Sequence, residues 1–382
     1  MGEKHLFRIV HVAEDMAKVS GGIPAVVCQL SAHLASSCNH IDIAHATGNP
    51  RLALFNTEVH NFPPSGWGNS WSLGPSLRLG LSNLISPNKE SGQILHIHGA
   101  WSAPQFFAAR RAHKVGVPFV FTAHGMLEPW LWNQQGWRIK MKKEAYWAAM
   151  AYPALKNASA LHAITPLERD SLSRLFPRKS ISVIPNAIEV SERDLGHPAQ
   201  AERTKSILFL GRIEPKKGVD ILLHAFSITS IGKEWAIDIV GPIWSDAYME
   251  SLRSIAKKSG IGDRVRFYGP VFGEEKLRLI DRAWVLAAPS HSEVMGLVNL
   301  EASARCLPSI TTYQTGLHDW ERGGGILIEP SINALKRALE NACSWSDLEQ
   351  RERGLSSQRL VFERYSWHAV KPQWIELYNS LL

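Results

Sequence analysis

The sequence predicts an α/β protein built from two parallel-sheet domains. Three observations carry that prediction. Short apolar runs alternate with longer amphipathic ones along the 382 residues, and a polar stretch near the middle interrupts the alternation before it restarts. The composition, 45% apolar and 20% charged, is that of a globular chain. A chain this long exceeds one ordinary core, so two domains are expected. Strands joined by helical crossovers pair in parallel and bury both faces of the sheet.

The elements follow in order. "FRIVHV" reads as a strand, and "IPAVVCQLSAHLASS" as a helix with Pro24 in its first turn, where its missing N–H costs nothing. "HIDIAHAT", "QILHIHG" and "VPFVFTAHG" read as further strands, with a helix over Pro104–Lys114. Residues 50–91, rich in Gly, Pro, Ser, Asn and Trp, read as long loops. After "ISVIPNAIEV" the polar "SERDLGHPAQAERTKS" reads as a linker. "SILFLG", "WAIDIVG", "RVRFYG", "VLAAPS" and "PSITT" are then strands, with "GVDILLHAF" and "SDAYMESLRSIAKKSG" as helices among them. The tail from Asp347 is helical and ends in "WHAVKPQWIELYNSLL". The domains are thus expected over residues 1–190 and 203–365, with a final helix over 366–382. In such sheets ligands bind beyond the carboxyl ends of the strands, which here predicts a cleft between two facing domains.

Composition narrows the function. No run of eighteen apolar residues occurs, so a membrane-spanning helix is not expected. The N-terminus lacks a signal-peptide core and enters a strand directly, which predicts a cytoplasmic protein. Cys28, Cys38, Cys306 and Cys343 are scattered without metal-ligand spacing and are expected to be reduced. The net charge of +7 suits an anionic partner: a phosphorylated metabolite, an anionic membrane or a nucleic acid. The cations are dispersed rather than gathered in a stripe, and no nucleic-acid module is seen, so nucleic acid is not expected.

Several constellations carry chemistry. In "GRIEPKKG" a strand ends at Gly211, and Arg212, Lys216 and Lys217 occupy a turn before a helix, an arrangement suited to a diphosphate or to a solvated basic turn. "PSHSEVMGLVNLEAS" places Glu293 at a helix entrance and Glu301 eight residues on, roughly 12 Å further if the span is helical. The pair could hold two ends of an extended ligand, or could be a helix cap and an i,i+4 partner of Arg305. "KVSGGIPAVV" supplies Gly21 and Gly22 before a helix, for close backbone approach or a tight turn. His124 sits at a strand's carboxyl end, structural or catalytic. His96 and His98 form H-x-H without an evident third or fourth ligand, so no metal is expected. Trp130, Trp132, Trp137 and Trp147 are mixed with Arg138, Lys140, Lys142 and Lys143, as on a bilayer-facing segment or a basic exterior over a packed helix.

Taken together, these stretches resemble the retaining family 4 glycosyltransferases, whose GT-B fold has two facing Rossmann-like domains and a C-terminal helix that crosses back to the N-terminal one. The family's E-x7-E signature is met by Glu293 and Glu301, its G-R-x-x-x-x-K-G segment by "GRIEPKKG", and its interdomain I-P-N-G by "IPNA". "HAITPLERDSL" and "FTAHGMLEPW" are similar to family segments, and the resemblance spans nearly the whole chain. It implies that Arg212 and Lys217 clamp a donor diphosphate, that Glu301 binds ribose, and that Glu293 and His124 contact the transferred sugar. Backbone amides of Met295, Gly296 and Leu297 and the glycines Gly21 and Gly22 would face the donor, with the base near Tyr268–Val271. Val294 departs from the family's E-G-F-G, Cys306 replaces its glycine before L-P, and "YQTGLHDW" keeps only Gly316 of a glycine loop.

The implied activity is metal-independent transfer of a hexose from a nucleotide sugar, UDP-glucose or a similar UDP-hexose, with retention. The implied acceptor is a glycan or lipid-linked saccharide in cell-surface polysaccharide synthesis, with peripheral membrane contact through 130–147 at the inner face of the plasma membrane. Other GT-B activities, a phosphorylase or a sugar-nucleotide epimerase, are the alternatives, and a non-catalytic nucleic-acid binder is the third.

Overall fold

The computed structural model describes residues 7–17, 22–48, 54–66, 71–86, 92–128, 136–190, 195–196 and 202–382. The chain forms two compact units: unit 1 comprises Met1–Pro185 and Lys371–Leu382, and unit 2 comprises Asn186–Val370.

Unit 1 is a parallel sheet in the order β3-β2-β1-β4-β5-β6-β7. Its strands are β1 (Phe7–Val12), β2 (His40–His45), β3 (Thr57–Asn61), β4 (Gly92–His98), β5 (Phe119–Thr122), β6 (Ala160–Ala163) and β7 (Ile181–Val183). The helices are α1 (Gly22–Leu34), α2 (Leu77–Leu84), α3 (Ala103–Val115), α4 (Trp137–Tyr146), α5 (Tyr152–Leu155, joined to α4 by a π turn) and α6 (Pro166–Leu175). Residues 50–91, expected as loops, contain β3 and α2. β3 is a half-exposed edge strand without an apolar run, which hid it, and α2 is a short helix that buries Leu77, Leu81 and Leu84, leaves Leu79 exposed and packs Gly80 on Phe62.

Strand alternation divides the unit 1 sheet into two chemically distinct faces. One face carries Leu95, Ile97, Phe119, Phe121, Leu161 and Ala163 into an apolar core with Ala108, Ala109, Ala154 and Leu172 from the covering helices. The other carries histidine. In register, His11 lies opposite His96, His98 opposite Thr122, and Thr122 opposite His162. The side chains therefore share one face at the carboxyl ends of β1, β4, β5 and β6.

Unit 2 is a parallel sheet in the order β10-β9-β8-β11-β12-β13. Its strands are β8 (Ser206–Leu210), β9 (Ala236–Val240), β10 (Val265–Gly269), β11 (Val285–Ala288), β12 (Ser309–Thr312) and β13 (Ile326–Ile328). Its helices are α7 (Val219–Ser227), α8 (Asp246–Lys258), α9 (Gly273–Arg282), α10 (Leu297–Ala304), α11 (Ile332–Cys343) and α12 (Asp347–Tyr365). Both faces are apolar: Phe209, Ile239, Ala287 and Ile310 pack against α7, α8 and α11, while Leu208, Leu286 and Ala288 pack against Ile280 and Ala302. Such two-sided burial explains the near-continuous apolar strands. The final helix, α13 (Trp367–Asn379), contains the division at Val370/Lys371, and its later turns lie on the histidine face of unit 1.

Candidate active site

In unit 2 the strand order reverses between β8 and β11, so the loops leaving these neighbours diverge and open a crevice at their carboxyl ends. The loop after β8 holds Arg212 and a single tight turn, Pro215–Lys217, that delivers Lys217. Gly218 follows with φ +70°, and a Cβ there would collide with the carbonyl oxygen of Pro289 just past β11. Glycine thus lets the lysine turn lie directly on the end of the neighbouring strand.

The result is a pairing that spacing could not specify. Lys217 Nζ lies 2.9 Å from Glu293 Oε1, with the two side chains 19% and 12% exposed. Ser290 Oγ donates to the same carboxylate at 2.7 Å. Hydrogen bonds to charged groups contribute about 1.5–3 kcal/mol each, so both side chains are held in place. Lys216 lies in the same field, and its pKa is lowered by burial, with Glu293 opposing and Lys217 reinforcing that shift. Arg212 stands apart, half-exposed and 3.7 Å from Glu214.

Three expectations change. The helix begins at Leu297, not at the glutamate, so Glu293 is a loop residue and the ~12 Å helical-rise separation does not apply. The Gly296 N–H is bound to the Thr315 carbonyl at 3.2 Å and that of Leu297 to the Met295 carbonyl at 2.9 Å. Those two amides are therefore engaged within the loop rather than offered to an anion. Glu301 does not pair with Arg305: it accepts from Lys276 on α9 at 2.6 Å, while Arg305 grips Asp281 at 2.6 and 2.5 Å. Val271 packs on the β8–β11 core beyond β10, and neighbouring Tyr268 is exposed. Cys306 adopts φ +58°, the left-handed conformation a glycine takes without strain.

Unit 1 contributes a second constellation. His124 follows β5 with φ +52°, and its Nε2 lies 2.9 Å from His98 Nδ1. Burial, with repulsion from His162, pushes its pKa down to about 3. Gly22 opens α1 with open space where a Cβ would stand, so nothing in the described structure requires glycine there. Gly21, Trp130 and Trp132 lie outside the described residues.

Sequence reasoning missed four residues. His11 supplies a third imidazole beside His96 and His98, with ring nitrogens of all three within 4.8 Å of one another. His162 and Tyr378 extend the polar network through Thr122 and His96. Glu168 is buried, and its two oxygens accept from Gly125 N–H at 2.6 Å and Ile164 N–H at 2.7 Å, clamping the turn that carries His124. Burial pushes the Glu168 pKa up to about 7 against the pull of those two bonds. Its signal was present in "TPLERD", where Thr165 caps α6 by accepting from Glu168 N–H. His11 and His162 were legible only as single histidines in strands.

The expected tryptophan–lysine segment divides. Trp147 packs with Trp101 and Phe176 at the edge of the apolar core, whereas α4 buries no residue. Trp137, Ile139 and Met141 are 68%, 42% and 59% exposed among its cations.

Two Rossmann-like units, each with its own switch point, constitute the GT-B architecture, and the fold is of that class. Sucrose-phosphate synthase from Thermosynechococcus elongatus superposes with a TM-score of 0.73 at 20% identity, covering 98% of both chains. Anabaena HepE in complex with UDP-glucose gives 0.74 at 17% identity, covering 98% of this chain and all of that one. Residues 20–192 match the model described as Glycosyltransferase Family 4, and residues 190–353 that described as Glycosyl transferases group 1. Alpha-maltose-1-phosphate synthase of Mycolicibacterium smegmatis is 24% identical over 95% of this chain and 96% of its own. D-inositol 3-phosphate glycosyltransferase of Corynebacterium efficiens is 31% identical over 51% of this chain and 46% of its own. The chain belongs to the family 4 glycosyltransferases.

Proposed function

We propose that this glycosyltransferase moves a hexose, with retention, from UDP-glucose or a similar UDP-hexose to a glycan or lipid-linked saccharide in cell-surface polysaccharide synthesis. The observation that carries the reading is the Lys217–Glu293 pair at the unit 2 switch point. A donor diphosphate draws Lys217 towards its oxygens, and Glu293 is then released to accept hydrogen bonds from sugar hydroxyls. Arg212 adds a second cation on the leaving group, so the two side chains supply the charge stabilisation that a metal provides elsewhere. Glu301, on α10, accepts from the ribose hydroxyls in exchange for Lys276. The anomeric C–O bond to the diphosphate breaks as the acceptor oxygen attacks from the same face. The acceptor's proton passes to the departing phosphate oxygen, so no enzymic nucleophile is needed.

The donor choice draws support from the UDP-glucose complex of HepE. Contact of α4 with the anionic inner face of the plasma membrane is supported by its exposed apolar side chains and its Arg138, Lys140 and Lys142. Among the described residues no helix is long and apolar enough to cross a membrane.

Thermal denaturation with UDP-, GDP- and ADP-sugars tests the donor, because a ligand that binds only the folded chain raises Tm. A shift with UDP-hexose followed by an axial product linkage in NMR supports the reading. No shift with any of the three, or an inverted linkage, refutes it.

A further inference from the structure

The histidine face of unit 1 contains two hydrogen-bonded series, and donor–acceptor bookkeeping assigns the protons in both. In the first, His162 Nε2 lies 2.7 Å from the Ile184 carbonyl, which can only accept. His162 Nδ1 is therefore bare and accepts from the Thr122 hydroxyl at 2.9 Å. Thr122 oxygen in turn accepts from His96 Nε2–H at 2.8 Å, and His96 Nδ1 accepts from Tyr378 O–H at 2.8 Å. Every polar atom in this series has a partner, and both rings are Nε2–H tautomers.

The second series is His11 Nδ1 to His98 Nε2 at 3.0 Å and His98 Nδ1 to His124 Nε2 at 2.9 Å. Each contact needs one N–H and one bare nitrogen. A neutral His98 has one of each, so all three rings must carry their proton on the same-named nitrogen. If that is Nε2, a buried N–H at His11 has no acceptor among the described residues; if it is Nδ1, His11 Nε2 leaves only a lone pair unused. Orphaned buried N–H groups are rarer than under-used acceptors. His98 is itself buried among His11, His96, His124 and His162, and burial with their repulsion holds it neutral.

We propose that His11 and His98 are positioning residues that lock His124 as its Nδ1–H tautomer, so that this ring offers a hydrogen-bond donor to an oxygen of the transferred sugar. The sugar contact rests on the function proposed above; the tautomer lock does not. His124 is the partly exposed end of the series, and its left-handed backbone and the Glu168 clamp on Gly125 fix its orientation. A metal on His11, His96 and His98 would have to displace bonds that already engage both nitrogens of His96 and of His98.

Long-range ¹H–¹⁵N correlation on histidine-labelled full-length protein at pH 7.5 reads each ring's tautomer directly. The expected pattern is Nδ1–H at His11, His98 and His124, against Nε2–H at His96 and His162 in the same spectrum. His98→Gln breaks the series: His124 relaxes to mixed tautomers, and turnover with UDP-hexose falls about tenfold, the scale of one hydrogen bond in the transition state. An Nε2–H or cationic His124 in the native protein overturns the lock, as does an unchanged His124 tautomer in the variant or one equivalent of bound zinc. The native spectrum decides the matter even where the variant fails to fold. A lost lock with unchanged turnover supports the tautomer assignment and removes His124 from contact with the sugar.

Discussion

Lowering the pH from 7 to 5 should destabilise unit 1 through its histidine face. Burial pushes His11 and His124 down to about 3 and His162 to about 4, and holds His96 and His98 well below 6.5. A histidine whose pKa is lower folded than unfolded binds fewer protons in the native state. Its stabilisation is complete above 6.5 and is lost as pH falls below that value. Glu168 acts in the opposite sense: raised to about 7, it binds more protons when folded and gains stability as pH falls from 7 towards 4.5. Counting His11, His124 and His162 against Glu168 by linkage, the net loss is about 1 kcal/mol between pH 7 and 6 and about 2 kcal/mol between pH 6 and 5, and His96 and His98 add to it in the same direction. That is a large part of the 5–15 kcal/mol a domain typically holds, as an order of magnitude. Urea unfolding at pH 7, 6 and 5, read by hydrogen exchange in β4 and β5 peptides against β8 and β11 peptides, measures it by unit. A β4–β5 stability that changes by less than about 1 kcal/mol from pH 7 to 5 refutes the reasoning, as does earlier loss in β8 and β11.

Lys217→Ala should lower turnover by about 10²–10³, the scale of one preorganised electrostatic contact, with the fold intact by circular dichroism; near-native turnover removes Lys217 from the leaving-group role. Glu168→Ala strands the Gly125 and Ile164 N–H groups in a buried turn and should cost about 2–5 kcal/mol in urea unfolding, whereas Glu168→Gln, which keeps one acceptor, costs less. Gly218→Ala forces a left-handed alanine against the Pro289 carbonyl and should cost at least about 1–2 kcal/mol, with weaker donor binding in the thermal assay because the Lys217 turn is displaced.

The fold was legible because parallel sheets covered on both faces write themselves as apolar runs, and "SILFLG" and "VLAAPS" became β8 and β11. β3 was not legible because an edge strand such as "TEVHN" buries no continuous side and so leaves no pattern. In the site, "GRIEPKKG" and the glutamate spacing marked the turn after β8 and the loop after β11, since a turn and a strand end are local. The partners were not local. Lys217 meets Glu293 across 76 positions because β8 and β11 are neighbours, and Glu301 meets Lys276 because α9 lies beside α10. Strand order decides both contacts, and spacing within one segment carries no record of it. The histidines show the same limit: "HIH" exhibits two rings, while His11, His162 and Tyr378 join them only through the register of three other elements.

Tyr378 also dictates an order of assembly. Unit 2 is one continuous stretch of chain, but the polar face of unit 1 lacks its terminal donor until the last turns of α13 have been synthesised. That face can therefore be completed only after residues 186–370, the whole of unit 2, have been made. Residues from before and after unit 2 thus meet in one hydrogen-bonded network, and unit 2 is an insertion between them.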